Sequence, residues 1–343
     1  MRYLSAPKLV LILALLLPIV ILASMGVGTV FIPPSDLIST LSTAILNDTV
    51  NPQFKSILLD IRLPRIMLAL LVGAVLASCG VVMQGLFRNA LADPSLIGVS
   101  SGASLGASLV IVVTAGTLSV SPLAGLSLVA FGAFTGGFVT TLLVYRVATS
   151  TLGTSVATML LAGIAIGALS GAFNSLLSYF SDNQMLRQIS VWQMGNLSGA
   201  NSTKVILMSA VALCFIVFLP GHIKPLNALL LGESEARHLG INVQQVKRSL
   251  ILLTALGVGV SVALAGLIGF VGLVVPHIVR LIIGPDHRWL LLASALAGSI
   301  LLLIADCIAR VIVLPAELPT GILTALIGAP FFVALLISQR RTL

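Results

Sequence analysis

Residues that could do chemistry are few in this chain and lie far apart. Each of the three cysteines, Cys79, Cys214 and Cys307, stands alone inside an apolar run. Their spacing is not that of a metal site, and an odd number of isolated thiols does not build a disulfide framework. We expect them to pack as buried small hydrophobes. The four histidines are also scattered, and we expect structural roles rather than metal ligation for His222, His238, His277 and His287.

Sequence motifs for catalysis are missing as well. The chain has no Gly-Lys dipeptide, so the Walker A pattern that cradles nucleotide phosphates is missing. It also lacks the H-E-x-x-H zinc helix and the G-x-S-x-G nucleophile elbow. We therefore expect no catalytic, cofactor-binding or metal-binding residues and no enzyme. Any ATP hydrolysis that serves this chain must therefore come from a separate subunit.

Ionisable residues within the apolar runs are rare too. Asp306 is the acid that lies well inside a predicted helix, and Arg310, four residues on, can pair with it. Pumps and metal-ion carriers usually need several buried ionisable groups. A pathway for a large, pre-chelated or macrocyclic substrate needs few, and the sequence favours that kind of cargo.

The composition determines the class of protein that must position these residues. Hydrophobic residues make up 58 % of the 343 residues and Asp, Glu, Lys and Arg only 8 %, with a mean hydropathy of +1.16. In soluble domains roughly a quarter of all residues are charged. A bilayer admits only helices or closed barrels, and the apolar runs are longer than barrel strands of about ten residues. The sequence predicts an all-α, polytopic transmembrane helical bundle.

Ten apolar runs are long enough to be candidate spans. A straight crossing needs about 20 residues, and the sixth and eighth runs are shorter. Short runs beside Gly and Pro are typical of broken helices that line a cavity. Equally, these two helices could extend beyond the apolar runs. The predicted spans are Leu9–Val30, Pro64–Met83, Leu96–Ala115, Leu123–Tyr145, Thr154–Leu177, Val205–Leu219, Leu250–Leu267, Val271–Ile283, Leu290–Val311 and Gly321–Ile337.

Lysine and arginine placement predicts the orientation of the bundle. With ten spans and a cytoplasmic N-terminus, twelve of the 18 basic residues lie on the cytoplasmic side. Both termini are then cytoplasmic. The first apolar run is longer than the core of a signal peptide, so we expect a retained helix. The net charge of +8 is spread over span ends rather than one patch, which predicts no nucleic-acid partner. The six basic residues on the outer side are Lys55, Arg62, Arg65, Arg187, Lys204 and Arg310.

Glycines recur at four-residue intervals within three spans. Gly163, Gly167 and Gly171 fall on one face of the fifth span. Small residues at this interval let helices approach closely in lipid. The functional interpretation is a helix seam at a subunit interface or pore, and packing within one bundle stays open. Two further pairs share the spacing, Gly102 with Gly106 and Gly132 with Gly136.

Six segments, in consistent order from the second span to the C-terminus, carry recognisable motifs. They are RLPR (62–65), GLFRNALADPSLIGVSSGA (85–103), LLGESEARHLGI (230–241), GLIGFVGLVVPHIVR (266–280), ADCIAR (305–310) and AELPTGILTALIGAPFF (316–332). Together they resemble the signatures of the iron-chelate and vitamin B12 importer permeases, the membrane subunits of type II ABC importers. Ala90 departs from the pattern, which usually has proline after Arg-Asn, and this should loosen that turn without removing it.

The resemblance implies an arrangement and a function. It implies a single permease domain over residues 1–343 in the bacterial inner membrane, forming a homodimer with two cytoplasmic ATPase subunits and a periplasmic substrate-binding protein. The pathway would run along the dimer interface, largely between the fifth and tenth helices. The cargo would be an iron chelate, haem or a ferric siderophore, with haem permeases the nearest in appearance.

Other functions stay open beside this one. A vitamin B12 importer permease is a close alternative. A secondary transporter would work without an ATPase and should carry coupling-ion sites in its spans. An intramembrane enzyme would need a nucleophile–base pair or a metal cluster, which the sequence does not show.

A polar loop at about 221–248 is the longest cytoplasmic segment. Ser234 can cap a short helix there, with Glu235 in its first turn, Arg237 and His238 in its last and Gly240 beyond its end. By the resemblance this is a coupling helix that docks on the ATPase. A solvated connector is the other interpretation. The residues assigned to coupling are Gly232, Glu233, Glu235, Ala236 and Gly240.

A cytoplasmic gate is expected near Asn89 and Leu91, which the resemblance supplies. It is also expected near Thr154 and Ser155, where the match needs a gap between Leu152 and Leu160. Ordinary turn and helix-cap chemistry is the alternative at all four positions.

Three arginines on the outer side break the positive-inside trend: Arg62, Arg65 and Arg310. By the resemblance, such arginines pair with glutamates on the two lobes of the binding protein. The planar guanidinium suits this role because it binds a carboxylate through two parallel hydrogen bonds. Interface anchoring, or pairing of Arg310 with Asp306, is the alternative.

Overall fold

The computed structural model describes residues 4–30, 32–33, 37, 56–117, 122–151 and 153–340. In this part of the chain most residues are helical, and one two-stranded antiparallel hairpin pairs β1 (Thr149–Ser150) with β2 (Gly153–Thr154). The predicted all-α bundle is confirmed. Arg2, Lys55 and Arg341, which contribute to the charge count, lie outside the described residues.

Twelve α-helices occur within the described residues. A π-helical turn (Ile57–Arg62) runs directly into the second, and a 3₁₀ turn (Pro94–Ile97) precedes the third. The helices are α1 (Ala6–Gly26), α2 (Leu63–Leu86), α3 (Val99–Thr117), α4 (Pro122–Ala148), α5 (Val156–Tyr179), α6 (Asn183–Gln193), α7 (Ser202–Leu229), α8 (Glu233–His238), α9 (Val243–Ala265), α10 (Val271–Ile283), α11 (His287–Ala309) and α12 (Thr320–Arg340).

Ten of these helices coincide, in order, with the ten predicted spans. Seven are long and apolar enough to cross a membrane, and α3, α10 and α12 contain shorter apolar helical segments. The remaining two, α6 and α8, have only 11 and 6 residues. Helices are therefore found at all ten predicted positions, in the predicted order, and seven of them reach the length of a membrane span.

The sixth span is longer than predicted, whereas the eighth is as short as predicted. The sixth, α7, is a 28-residue helix, so the short span predicted there was wrong. Its C-terminal turns contain His222, Lys224 and two prolines, which are residues typical of loops, so the sequence predicts a loop where the helix continues. The eighth, α10, is 13 residues long with the predicted ends. It begins after Phe270, which holds a left-handed backbone with φ of 67°.

Helices α2 and α9 form the centre of the bundle. Buried residues make up 78 % of the apolar window of α2 and 72 % of that of α9, against 11 % for α1 and 22 % for α5. Glycines let α2 cross its neighbours at backbone contact, because a Cβ on Gly73 would collide with Gly298 of α11. The same holds for α3 and α4, where a Cβ on Gly106 would collide with the carbonyl of Gly132. These close crossings hold the polar ends of the helices in fixed relative positions.

Candidate functional site

An ion cluster joins three helices at one end of the bundle. The Arg65 guanidinium donates from Nε to both oxygens of Asp306 at 3.0 Å, and its Nη2 lies 2.9 Å from Oδ1. Its Nη1 donates to Glu317 at 2.7 Å. Asp306 has no exposed surface and also accepts from Thr320 at 3.2 Å. Two buried charges of opposite sign thus satisfy each other through several hydrogen bonds, which offsets the cost of removing them from water.

Arg310 extends this cluster to the first helix. Its Nε lies 3.2 Å from Asp306, which is the pairing left open from the sequence. Its terminal nitrogens donate to the Ser24 hydroxyl at 2.6 Å and the Val27 carbonyl at 2.9 Å. Arg62 donates to the carbonyls of Met25 and Val30. The end of α1 is therefore held by two arginines from α11 and the start of α2.

The three arginines predicted to receive a binding protein are those of this cluster. They are 3–5 % exposed, and each has internal partners. The docking role stays a prediction, and a docking carboxylate would have to compete with Asp306, Glu317 and the carbonyls of the α1 end. Sequence reasoning missed the Arg65–Asp306 pair, because 241 positions separate the two residues and no local pattern signals it.

The short helix α8 lies at the opposite end, in the predicted coupling segment. Its N-cap is Gly232, with φ of 128°, so capping by Ser234 was wrong. Gly240 has φ of 79°, and the amide of Ile241 donates to the Ala236 carbonyl at 3.1 Å. A glycine in the left-handed region closes the helix with the bonds typical of a Schellman end. The helix therefore starts at Glu233, two residues before the predicted first helical residue Glu235, and ends where the sequence predicted.

One face of α8 is anchored and the other is open. Ala236 is fully buried against the bundle. Because α7 continues to Leu229 and α9 begins at Val243, the irregular part of the 221–248 segment is much shorter than predicted. The exposed residues around α8 mix apolar and charged side chains: Leu231, Glu235, Arg237, His238 and Leu239.

Lys247 connects α8 to the β-hairpin. Its side chain is 2 % exposed, and Nζ donates to Glu233 Oε1 at 2.6 Å and to the Thr154 carbonyl at 2.8 Å. Gln244, one turn earlier on α9, accepts from the Thr154 amide at 2.9 Å. Sequence reasoning placed Lys247 among the cytoplasmic basic residues but assigned it no role, because its partners lie on other elements.

Near the start of α3, the first predicted gate pair forms a turn. The Asn89 side chain accepts from the Leu91 amide at 2.9 Å, and the Asn89 carbonyl accepts from the Ala92 amide at 3.1 Å. The turn thus persists with Ala90 in place of proline, as expected. Arg88 before it holds φ of 51°, a left-handed conformation that is uncommon for a residue with a side chain.

The second predicted gate pair begins α5. Ser155 is its N-cap, and the Ser155 hydroxyl accepts from the Thr158 amide at 3.3 Å. Thr154 is 4 % exposed and lies in β2, with its hydroxyl 3.0 Å from that of Thr149. Cap chemistry, the alternative considered from the sequence, is present at Ser155, and the gate role stays a prediction at all four positions.

The glycine line on α5 does not have one environment. A Cβ on Gly163 would collide with the carbonyl of Leu96 in the same chain. One on Gly167 would meet Ser101 at 3.6 Å, and one on Gly171 would meet no atom within 4 Å. Gly163 therefore packs within the bundle, and Gly171 lies on an open surface where the seam stays a prediction.

The predicted structural histidines and cysteines have varied surroundings. His287 is fully buried, and its Nδ1 lies 2.8 Å from the Asn227 side-chain oxygen. Asn227 also donates to Asp286 at 2.9 Å, which holds the pKa of that carboxyl below its usual value. His222 lies in α7 rather than in a loop, with Nδ1 2.9 Å from the Phe218 carbonyl. Cys79 is buried, whereas Cys214 and Cys307 are only partly so.

Known proteins resemble the chain over its whole length. A sequence model described as the FecCD transport family matches residues 15–338. The hemin transport system permease protein of Yersinia pestis is 45 % identical over 337 residues, covering 97 % of each chain. The vitamin B12 import system permease protein of Citrobacter koseri is 41 % identical over 340 residues, covering 99 % of this chain and 95 % of the relative.

A solved structure has the same fold. It is an inward-facing conformation of a metal-chelate type ABC transporter, and it superimposes with a TM-score of 0.83 at 34 % identity. The alignment covers 97 % of this chain and 99 % of the other. Since the family model matches residues 15–338 and the relatives align over almost the whole chain, the chain belongs to the FecCD transport family and is a multi-pass membrane permease.

Proposed function

We propose that this chain is the membrane-spanning subunit of an ABC importer that moves an iron chelate, haem or a ferric siderophore, from the periplasm to the cytoplasm. The observation that carries the proposal is the 45 % identity, over almost the whole chain, to a permease for hemin. A vitamin B12 permease is the second candidate, favoured by the 41 % identity to a permease for that vitamin.

The absence of a nucleotide site in the sequence supports a separate ATPase. Two copies of this partner would bind the cytoplasmic end, one at each α8 of a homodimer. Exposed Leu231 and Leu239 beside the charged residues of α8 support docking there, because apolar anchors within a polar rim are typical of protein interfaces. Gly232, Glu233, Glu235, Ala236 and Gly240 would form and present this contact.

A homodimer would close the transport pathway. Bulky apolar residues are exposed on α5, at Leu161, Ile164, Leu169, Phe173 and Leu176, and on α12, at Leu326, Ile327, Val333 and Ile337. The pathway would run between these two helices of opposing copies, with Gly163, Gly167 and Gly171 along α5. Asn89, Leu91, Thr154 and Ser155 would form the gate at its cytoplasmic end.

The complex would reside in the bacterial inner membrane with both termini cytoplasmic. A periplasmic binding protein would deliver the chelate at the end that carries Arg62, Arg65 and Arg310. Arg310 and Arg65 share Asp306, and Glu317 is 30 % exposed beside Arg65. A carboxylate of the binding protein could therefore reach the cluster by replacing Glu317.

Reconstitution tests the proposal. The chain is co-expressed with the ATPase and binding protein encoded beside it, inserted into liposomes, and assayed for uptake of haemin, a ferric siderophore and cobalamin. We expect ATP-dependent uptake of haemin or the siderophore and no ATPase activity from the chain alone. Preferential uptake of cobalamin would select the second candidate. Uptake driven by an ion gradient without the ATPase would identify a secondary transporter instead.

A further inference from the structure

Two segments with proposed roles meet at one buried side chain. Thr154 ends β2, immediately before the N-cap of α5, and Glu233 begins α8. Both contact Nζ of Lys247, at 2.8 Å and 2.6 Å. The gate segment and the coupling segment are thus connected through a single ammonium group on α9.

The environment of Lys247 indicates a specific role rather than a surface charge. The side chain is 2 % exposed and has the largest volume among the fully buried residues that the structure describes. A buried ammonium costs free energy unless it is paired and hydrogen-bonded. Two of its three donors are used by groups on two different elements, so the position tolerates a charge only because α8 and β2 both supply acceptors.

The hairpin is held by a second side chain of the same helix. Gln244 accepts from the Thr154 amide at 2.9 Å, so both backbone groups of Thr154 are bound by residues one turn apart on α9. Gln244 also packs against Gly153, whose φ is 112° and where a Cβ would collide with it. Movement of the first turns of α9 must therefore move the hairpin and the start of α5.

The contact to α8 is built differently, through a carboxylate that reaches the surface. Glu233 is 33 % exposed and has a second cation nearby, with Arg237 Nη2 3.6 Å from its other oxygen. Arg237 is 61 % exposed on the outer face of α8. Glu233 thus holds an exposed and a buried cation at once, one through each oxygen, and links the outer face of α8 to Lys247.

We propose that Lys247 is a positioning residue that transmits displacement of α8 to the gate hairpin, β1 and β2, and to the start of α5. The proposal rests on the proposed function, in which the ATPase docks on α8. In this scheme ATP binding moves α8, Glu233 pulls on Lys247, and the hairpin follows because Lys247 and Gln244 hold Thr154. Transport per ATP then depends on the ammonium group and not merely on the volume of its stem.

Lys247→Met tests this, since methionine keeps an unbranched apolar stem and removes the charge. In the complex of this chain with its co-expressed ATPase and binding protein, we expect haemin transported per ATP hydrolysed to fall at least tenfold. Arg248→Met, the neighbouring exposed cation on the same helix, is the matched control and should keep the wild-type ratio. Lys247→Arg, which retains charge and donors, should restore part of the coupling.

A second measurement follows the hairpin itself. Spin labels at Thr151 and at Ser198 near the opposite end of the bundle should change separation with nucleotide state in the wild-type complex. In Lys247→Met the change should be lost. Wild-type coupling together with an unchanged label response in that variant would overturn the proposal.

If Lys247→Met proves unstable, a second variant tests the same link. Glu233→Ala then breaks the link to α8 while leaving Lys247 on Thr154, and unchanged coupling in that variant overturns the proposal. A wild-type chain that binds no ATPase contradicts the proposed function instead. An ATPase that co-purifies and drives uptake, with coupling insensitive to both variants, contradicts only the role of Lys247.

Discussion

At the scale of single residues, the most constrained group is the Asp306 carboxylate. It has no exposed surface and holds two guanidinium groups, those of Arg65 and Arg310. Both cations are nearly as deeply buried as the acid. Removing its charge would leave Arg310 without its carboxylate and Arg65 with only the partly exposed Glu317. Breaking such a buried pair from one side costs more than the pair itself contributes.

We therefore predict that Asp306→Asn lowers the free energy of unfolding by about 3–5 kcal/mol. Glu317→Gln is the control, because that carboxylate pairs with the same Arg65 but is 30 % exposed. Solvent screening should limit its effect to about 1 kcal/mol or less. Thermal unfolding of the purified chain in detergent measures both. Equal losses in the two variants would contradict the structural role assigned to Asp306.

A second prediction concerns the stability of the arginine cluster. Arg65→Glu should lower the melting temperature of the chain without any binding protein, because it places an acid against Asp306 and Glu317.

A third prediction concerns docking. If the binding protein docks on these arginines, Arg62→Glu and Arg65→Glu should abolish its stimulation of ATP hydrolysis. Arg187→Glu, at an exposed position on the same predicted side, is the control. Full stimulation in both variants and in Arg310→Glu would remove these residues from docking.

At the scale of helices, α5 shows how one spacing can serve two environments. Gly163 lies at backbone contact with Leu96, whereas Gly171, eight residues on, meets no atom within 4 Å. The first position is filled by the chain itself, and the second is on an open surface. Packing within the bundle and a seam between copies are therefore not exclusive along this helix.

Substitution at the two glycines separates these roles. Gly163→Leu should destabilise the isolated chain by about 1–3 kcal/mol or more, because the added side chain meets backbone that cannot rotate away. Gly171→Leu should leave the melting temperature unchanged. If α5 lies at the dimer seam, Gly171→Leu should lower the dimer fraction measured by intersubunit cysteine cross-linking along the exposed face of the helix. No cross-link from any position on that face would contradict the seam.

At the scale of the whole molecule, the two polar ends of the bundle differ in construction. One end is closed by the Asp306 cluster, in which α2 and α11 share buried charges and Arg310 binds the end of α1. The other presents α8 with exposed leucines and charged groups above the buried Ala236. This asymmetry fits a permease that receives its cargo at one end and contacts an energy-supplying partner at the other.

Co-purification of the ATPase tests the open end. Gly240→Pro should lower it at least tenfold, because proline fixes φ near −65° and Gly240 has φ of 79°. Glu235→Lys should also lower it, since it reverses an exposed charge on α8 without breaking the Glu233–Lys247 pair. Asp60→Lys, an exposed acid at the other end, should leave co-purification unchanged. If both α8 variants retained as much co-purified ATPase as the wild-type chain, α8 would be excluded as the contact.

Sequence alone predicts helices at ten positions in the right order, the place of α8 and the close-packed glycine pairs of α3 and α4. These depend on hydropathy over about 20 residues or on spacing within one helix, which are local properties. It also indicated the α8 end at Gly240, since a helix end needs only its own residues. It misjudged the end of α7, because Pro220, His222, Lys224 and Pro225 carry loop-like local signals that tertiary packing overrides.

Which charges meet follows from the tertiary structure. Arg65 with Asp306, and Lys247 with Glu233 and the Thr154 carbonyl, join elements that are distant in the chain. Helical spacing from Val243 and Leu250 puts Lys247 on the buried face of α9, but no local pattern shows which groups it meets there. The same limit applies to Gly163 and Gly171, which are equivalent by spacing and differ only in what packs against them. Partners of this kind are selected by how helices cross, because a buried charge is stable only where another element supplies its counter-charge.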